Sequence, residues 1–184
     1  MEQNNNYKLL EKPVTNPKHD RSRVISIAIK SNCGQYRYVL KRIWNTELEV
    51  GAFLCANPSK ADHLLYDETV FKCNNLAVQW NWGGFYILNL YPHYSTDPKK
   101  KKQTLDTDIK NSHYIKKISE RVSIFVLACG NGHKIRTSKL IEGISKEKLF
   151  CLRINKGGGF LHPSRINPEE FDRPIRVFGE EAYR

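Results

Sequence analysis

No apolar run in this chain approaches the roughly 20 residues that a bilayer-spanning helix needs, which excludes an obvious membrane anchor. The amino terminus, Met1 to Tyr7, is polar and rich in Asn where a secretory signal would be apolar. Both lacks point to a soluble, cytoplasmic protein. Cysteine is sparse and odd in number: Cys33, Cys55, Cys73, Cys129 and Cys151 are widely spaced. No pair has the spacing of a zinc knuckle, a redox couple or an iron–sulfur ligand set, so they read as free, mostly buried thiols. A chain of 184 residues can bury a full core without a disulfide or metal staple. Complete nucleotide-binding loops are lacking too. Gly157 to Gly159 has no Lys-Ser or Lys-Thr after it, and Gly130-Asn131-Gly132-His133-Lys134 is not a full phosphate loop, which disfavours Walker-type hydrolysis. His63, His93, His113 and His133 have no cysteines or carboxylates at ligand spacing, so surface or structural roles are expected for them rather than metal ligation. Negative charge is the last shortage. Against 30 Lys and Arg stand 19 Asp and Glu, a formal charge of +11. One domain this basic fits a polyanion, nucleic acid before others, better than it fits a compositional bias towards Lys and Asn.

What is present is an alternation of short apolar runs and helical patterns. Residues 1–22 hold prolines, an Asn-Pro turn and little periodicity, and read as an irregular leader to one domain over 23–184. Residues 24–30 and 35–43 are β-branched and aromatic, and Ser31-Asn32-Cys33-Gly34 between them predicts a hairpin. Residues 51–59 form a short apolar run that ends in a polar turn. They read as a buried strand with Asn57, Pro58 and Ser59 just past its carboxyl end. Asp67 then stands as an N-cap before 69–80, where Val70, Phe71, Leu76, Ala77 and Trp80 recur at helical spacing. A strand over 85–90 leads into Asn89-Leu90-Tyr91-Pro92, and Asp97-Pro98 precedes four lysines, Lys99, Lys100, Lys101 and Lys102. Residues 105–120 predict a helix with Ile109, Tyr114, Ile115 and Ile118 inward. A strand over 122–128, a helix over 134–143 and a strand over 149–154 follow, before a Gly-rich link into His162-Pro163-Ser164. Strands separated by helices predict an α/β fold: a three-layer α/β/α sandwich around a mostly parallel sheet, with the hairpin adding antiparallel strands at one edge. In such a sheet the polar turns after successive strands share one edge, where ligands bind.

Taken in order, Leu54 to Pro58, Phe85 to Pro92, Ile124 to Gly130 and Leu161 to Ser164 resemble the motifs of the uracil-DNA glycosylase superfamily. The resemblance covers Tyr36 to Ile166. Asn rather than Asp before the Pro is similar to the mismatch-specific and single-strand-selective branches. Within the superfamily the chain most resembles an uncharacterised bacterial and phage family in which Asn-Pro-Ser is followed by Ala-Asp, here Asn57 to Ser59 and Ala61-Asp62. The resemblance implies the fold already read, and a monofunctional, monomeric DNA glycosylase that uses no cofactor. Asn57 would hold the attacking water and His162 would donate to a carbonyl oxygen of the departing base. Because an amide takes up no proton near neutral pH, Asn57 could orient water but not act as a general base. Asn89, Tyr91 and Pro58 would bind the base. Ser59, Ser164 and Arg165 would contact the DNA backbone, Lys99 to Lys102 would track phosphates, and Ile166 would be an apolar wedge. Uracil-specific members place a Tyr after the Pro to exclude 5-substituents; Ser59 and Lys60 stand there instead. Uracil or a 5-modified base, in single- or double-stranded DNA, is therefore the implied substrate. Arg165 replaces the second Pro of the family's His-Pro-Ser-Pro continuation. Two alternatives stay open: a DNA-binding module of the same fold without catalysis, and a hydrolase of free modified nucleosides or nucleotides.

Overall fold

The structure, a computed structural model, describes residues 24–94 and 105–178. The leader expected over 1–22 and the lysines Lys99 to Lys102 lie outside the described residues. Strands β1 (Ile25–Lys30) and β2 (Arg37–Ile43) form the expected antiparallel hairpin. Its turn closes with the Gly34 N–H donating to Ser31 O at 2.9 Å. Next come β3 (Val50–Cys55), α1 (Glu68–Gln79), β4 (Gly84–Asn89) and α2 (Leu105–Arg121). The chain continues through β5 (Phe125–Leu127), α3 (Lys134–Ile141), β6 (Leu149–Cys151) and β7 (Ile175–Arg176). The seven strands make one sheet ordered β1-β2-β4-β3-β5-β6-β7. Its centre, β4-β3-β5-β6, is parallel, and both edges are antiparallel. The two-residue β7 has too little periodicity to be visible in sequence.

The helices cover both faces of the sheet. On one, α1 buries Val70, Cys73, Leu76 and Ala77 against Leu40, Phe53 and Ile87. On the other, Ile115 and Ile118 of α2, with Leu140 and Ile141 of α3 beside them, pack against Leu54, Leu88 and Leu127. The predicted N-cap of α1 is in place. Asp67 is extended (φ −103°, ψ 175°), and its carboxylate accepts the Val70 N–H, which satisfies one orphan donor of the first turn. Two residues expected inward face solvent instead: Phe71 is 55% exposed and Ile109 61% exposed. Each sits in the first turns of its helix, where Val70 and Thr107, respectively, take the inward position.

The amino-terminal edge of the parallel strands is closed by aromatics. Gly51 in β3 lacks the Cβ that would collide with the Trp82 indole, and Trp80, Trp82 and Phe85 surround Phe53. Trp44 joins them, its indole N–H donating to Trp82 O at 2.9 Å. The carboxyl edge is left open. After β3 the chain turns through α1 towards β4, while after β5 it turns through α3 towards β6 on the other side. Loops that part in opposite directions leave a crevice between the ends of β3 and β5, the place where open α/β sheets take their ligands.

Candidate functional site

A cavity of about 280 Å³ lies at that edge. It is small beside the roughly 300–1,000 Å³ of drug-sized sites and suits a single ring system. Cys55, Asn57 and Ser59 reach it from the end of β3, and Ile87 and Asn89 from β4. Asp67, Thr69 and Val70 come from the start of α1, Arg37 from β2, and His162 and Ser164 from the single helical turn Pro163–Arg165. The cavity shares Asn57, His162 and Ser164 with a groove of about 1450 Å³, to which Arg153, Lys156 and Arg165 add exposed cations. A small pocket thus opens into a broad basic groove.

Asn89 is the most informative residue here. Its main chain is held in place: it pairs with Cys55 in the parallel register, and its carbonyl accepts Asn111 Nδ2 at 2.9 Å. Its side chain is 0% exposed, yet neither Nδ2 nor Oδ1 has a hydrogen-bond partner. Leaving a buried polar group unpaired costs about 1–3 kcal/mol, so an unpaired amide on a residue that lines a cavity marks a candidate group for pairing with a ligand.

His162 is held by its own turn. Nδ1 accepts the Ser164 N–H at 3.2 Å and lies 2.9 Å from Ser164 Oγ. A ring nitrogen that accepts from a backbone N–H carries no proton, so the proton of the neutral ring is on Nε2. Burial pushes the pKa of His162 down to about 4, opposed by Asp67 and aided by Arg165. Near neutral pH the ring is therefore an uncharged Nε2–H donor. Lys72 Nζ donates to Ser164 O at 3.1 Å and ties this turn to α1.

Two further groups complete the wall. Ser59 donates its hydroxyl to Asp67 Oδ2 at 2.6 Å. Arg37 is only 2% exposed: Nη1 donates to Ala61 O at 2.6 Å, and Nε is buried without a partner. Burial pulls the guanidinium pKa below its usual value, while Tyr94 and Asp67 oppose that shift. The loop between Ser59 and Asp67 is fastened from below. Asp62 accepts the Leu64 and Leu65 N–H groups at 2.8 and 2.9 Å, which holds its carboxyl down at about 2. Arg42 donates to Asp62 O at 3.0 Å and lies 3.5 Å from the centre of the Tyr66 ring.

Of the residues singled out in the sequence, Asn57, Ser59, Asn89, His162 and Ser164 converge on the cavity, and Arg165 lines the groove. Pro58 is buried and lines neither space. Tyr91 also lines neither. It packs edge-on to His133 at 5.7 Å beneath the Arg136 guanidinium. Ile166 is placed differently from a wedge: at 7% exposure it packs into the core cluster that α1 covers, with Leu161. Cys55, Cys73, Cys129 and Cys151 are buried free thiols, and Cys33 is an exposed one. Among the described residues no three His, Cys, Asp or Glu side chains are grouped to hold a metal ion, and no helix is long and apolar enough to cross a membrane. Sequence reading missed Arg37 as a site residue. The available signal was period-two alternation, because Tyr36 and Tyr38 beside it pack on the opposite face.

Fold and site together define a doubly wound α/β domain whose pocket lies at the carboxyl edge of the parallel strands, over the ends of β3 and β4, while the groove reaches the crevice between β3 and β5. The chain belongs to the family described as "Protein of unknown function (DUF1643)", whose model matches residues 37–164. No curated protein matches the sequence. Among solved structures the chain is similar to the hetero-hexameric glutamate dehydrogenase from Thermus thermophilus in its leucine-bound form. That likeness has 8% identity and a TM-score of 0.33, and covers 69% of this chain and 32% of the other. The chain thus spans about a third of that structure's length.

Proposed function

We propose that the protein hydrolyses the N-glycosidic bond of an altered base in DNA, as a glycosylase of the uracil-DNA glycosylase type. The observation that carries this reading is the buried, unpartnered amide of Asn89 in a ring-sized cavity that also holds Asn57 and His162. An amide presents one donor and one acceptor side by side, the complement of a base's Watson–Crick edge. The reaction asks little else of the protein. Water oriented by Asn57 adds to C1′ of the deoxyribose as the C1′–N bond breaks, and the bond's electron pair leaves with the base. The His162 Nε2–H donates to a carbonyl oxygen of that base as negative charge builds there. The proton lost by the water balances the charge of the departing base, and the products are an abasic site and a free base. Arg153, Lys156 and Arg165 along the groove suit the phosphates on either side of a flipped nucleotide. A binding module without catalysis would share the groove but has no use for a buried pocket with an unpaired amide.

Incubating the protein with oligonucleotides containing uracil, 5-hydroxymethyluracil or hypoxanthine, then cleaving abasic sites with alkali, tests the reading. Strand breaks at the altered base are expected, and they should vanish in Asn57→Ala and His162→Ala with the fold retained. No product from any altered base would remove the hydrolase reading.

A further inference from the structure

We infer that Arg37 sets the specificity of this cavity, selecting a base whose buried edge presents carbonyl oxygens over the counterpart that carries an amino group. The ligand class, a nucleobase, rests on the hydrolase reading; the choice of edge comes from the cavity's own donors and acceptors.

Asn89 alone cannot make this choice. Its amide can pair with an adjacent carbonyl and ring N–H, as in an oxo base. Turned by 180° it pairs equally well with a ring nitrogen and an exocyclic amino group, and nothing in its own surroundings fixes one orientation, since both atoms are unpartnered. Arg37 breaks the symmetry because a guanidinium is a donor only. It enters the same cavity from β2, with its backbone N–H fixed to Pro92 O at 2.8 Å, so the strand is anchored to the turn that follows β4. Nη1 is committed to Ala61 O, and the buried Nε still seeks an acceptor. His162, neutral with its proton on Nε2, is a second donor in the cavity. An exocyclic amino group set against these donors would leave them unpaired and place N–H against N–H. A carbonyl oxygen would satisfy them.

Charge narrows the class further. Asp67 lines the same cavity and offsets the guanidinium, so a doubly charged ligand such as free phosphate is a poor complement. A neutral ring that becomes anionic on leaving is a better one. Arg37 then has two effects: it rejects amino-bearing bases in the ground state, and it stabilises the oxo base more strongly as charge develops.

The test needs no catalysis. Ligand-observed NMR with the wild-type protein compares uracil with cytosine and hypoxanthine with adenine, pairs that differ by oxygen for amino at one ring position. Each oxo base should bind roughly ten- to a hundredfold more tightly than its partner, the scale of one hydrogen bond to a charged group. In Arg37→Gln the preference should collapse. Arg37→Lys, which keeps a cationic donor near Ala61, should retain part of it and guards against a variant that fails to fold. Equal binding within each pair, tighter binding of the amino bases, no binding of any base, or an undiminished preference in folded Arg37→Gln would each overturn the inference. Cleavage of altered-base oligonucleotides without oxo preference would leave the hydrolase reading standing and remove the role of Arg37. Oxo-base binding with no cleavage of any oligonucleotide would do the reverse.

Discussion

Asp67 joins two parts of the site through one carboxylate: Oδ2 takes the Ser59 hydroxyl at 2.6 Å while Oδ1 takes the Val70 N–H at 2.8 Å. The turn after β3 and the start of α1 are therefore one mechanical piece. Asp67→Ala removes the helix cap and the bridge together and should lower stability by about 1–2 kcal/mol in urea unfolding. Ser59→Ala loses the bridge alone and should cost about 1 kcal/mol or less. An Asp67→Ala variant as stable as the parent would show that the cap contributes nothing.

His162 should titrate near pH 4 in the folded protein, because burial disfavours its charged form. In the unfolded chain its pKa is about 6.5, so between about 6.5 and 4 the unfolded state holds more proton than the folded one. The stability supplied by the neutral ring is complete above about 6.5 and lost as pH falls to about 4. NMR titration of the ring checks the value and also reports the tautomer, which should bear its proton on Nε2. Replacing His162 by Asn should flatten the loss of stability over that window. A ring titrating near 6.5 in the folded protein would rule this out.

Asn89 offers a contrast between stability and binding. Because neither side-chain atom is paired, Asn89→Ala removes no hydrogen bond from the free protein and relieves an unpaired buried amide, so the urea midpoint should stay where it is or rise. Leu88→Ala, one residue earlier in the core, should cost about 2–5 kcal/mol. Base binding should follow the opposite order, lost in Asn89→Ala and kept in whatever fraction of Leu88→Ala stays folded. A large destabilisation by Asn89→Ala would mean that the amide is already satisfied without a ligand.

The exposed cations of the groove can be counted through salt. If Arg153, Lys156 and Arg165 each meet a phosphate, each Ala substitution should weaken DNA binding uniformly across sequences. It should also reduce the slope of log K against log salt by roughly one. Fluorescence anisotropy of a labelled oligonucleotide over a salt series measures both. Three variants with the parent's slope would place the DNA elsewhere.

How much of this was legible beforehand depended on whether local chemistry decided the outcome. The Asp67 cap, the Ser31 to Gly34 turn and the polar ends of β3 and β4 follow from neighbouring residues, and their positions were readable. Ile166 and Ile109 were not, because both depend on tertiary geometry: the turn after His162 folds Ile166 into the core, and the start of α2 leaves Ile109 facing solvent. Arg37 is the instructive omission. A positive residue in a strand reads as solvent-facing, and only the alternation with Tyr36 and Tyr38, together with a cavity that no sequence displays, turns it inward. The orphaned Asn89 amide is likewise a property of what surrounds it.

All three tryptophans, Trp44, Trp80 and Trp82, gather towards the amino-terminal edge of the parallel strands, and none of them lines the cavity at the carboxyl edge. The molecule therefore carries an optical reporter of its own folding at the end opposite its pocket. Intrinsic emission should shift when urea opens the core and stay constant when a base fills the site, so one fluorescence trace separates occupancy from unfolding.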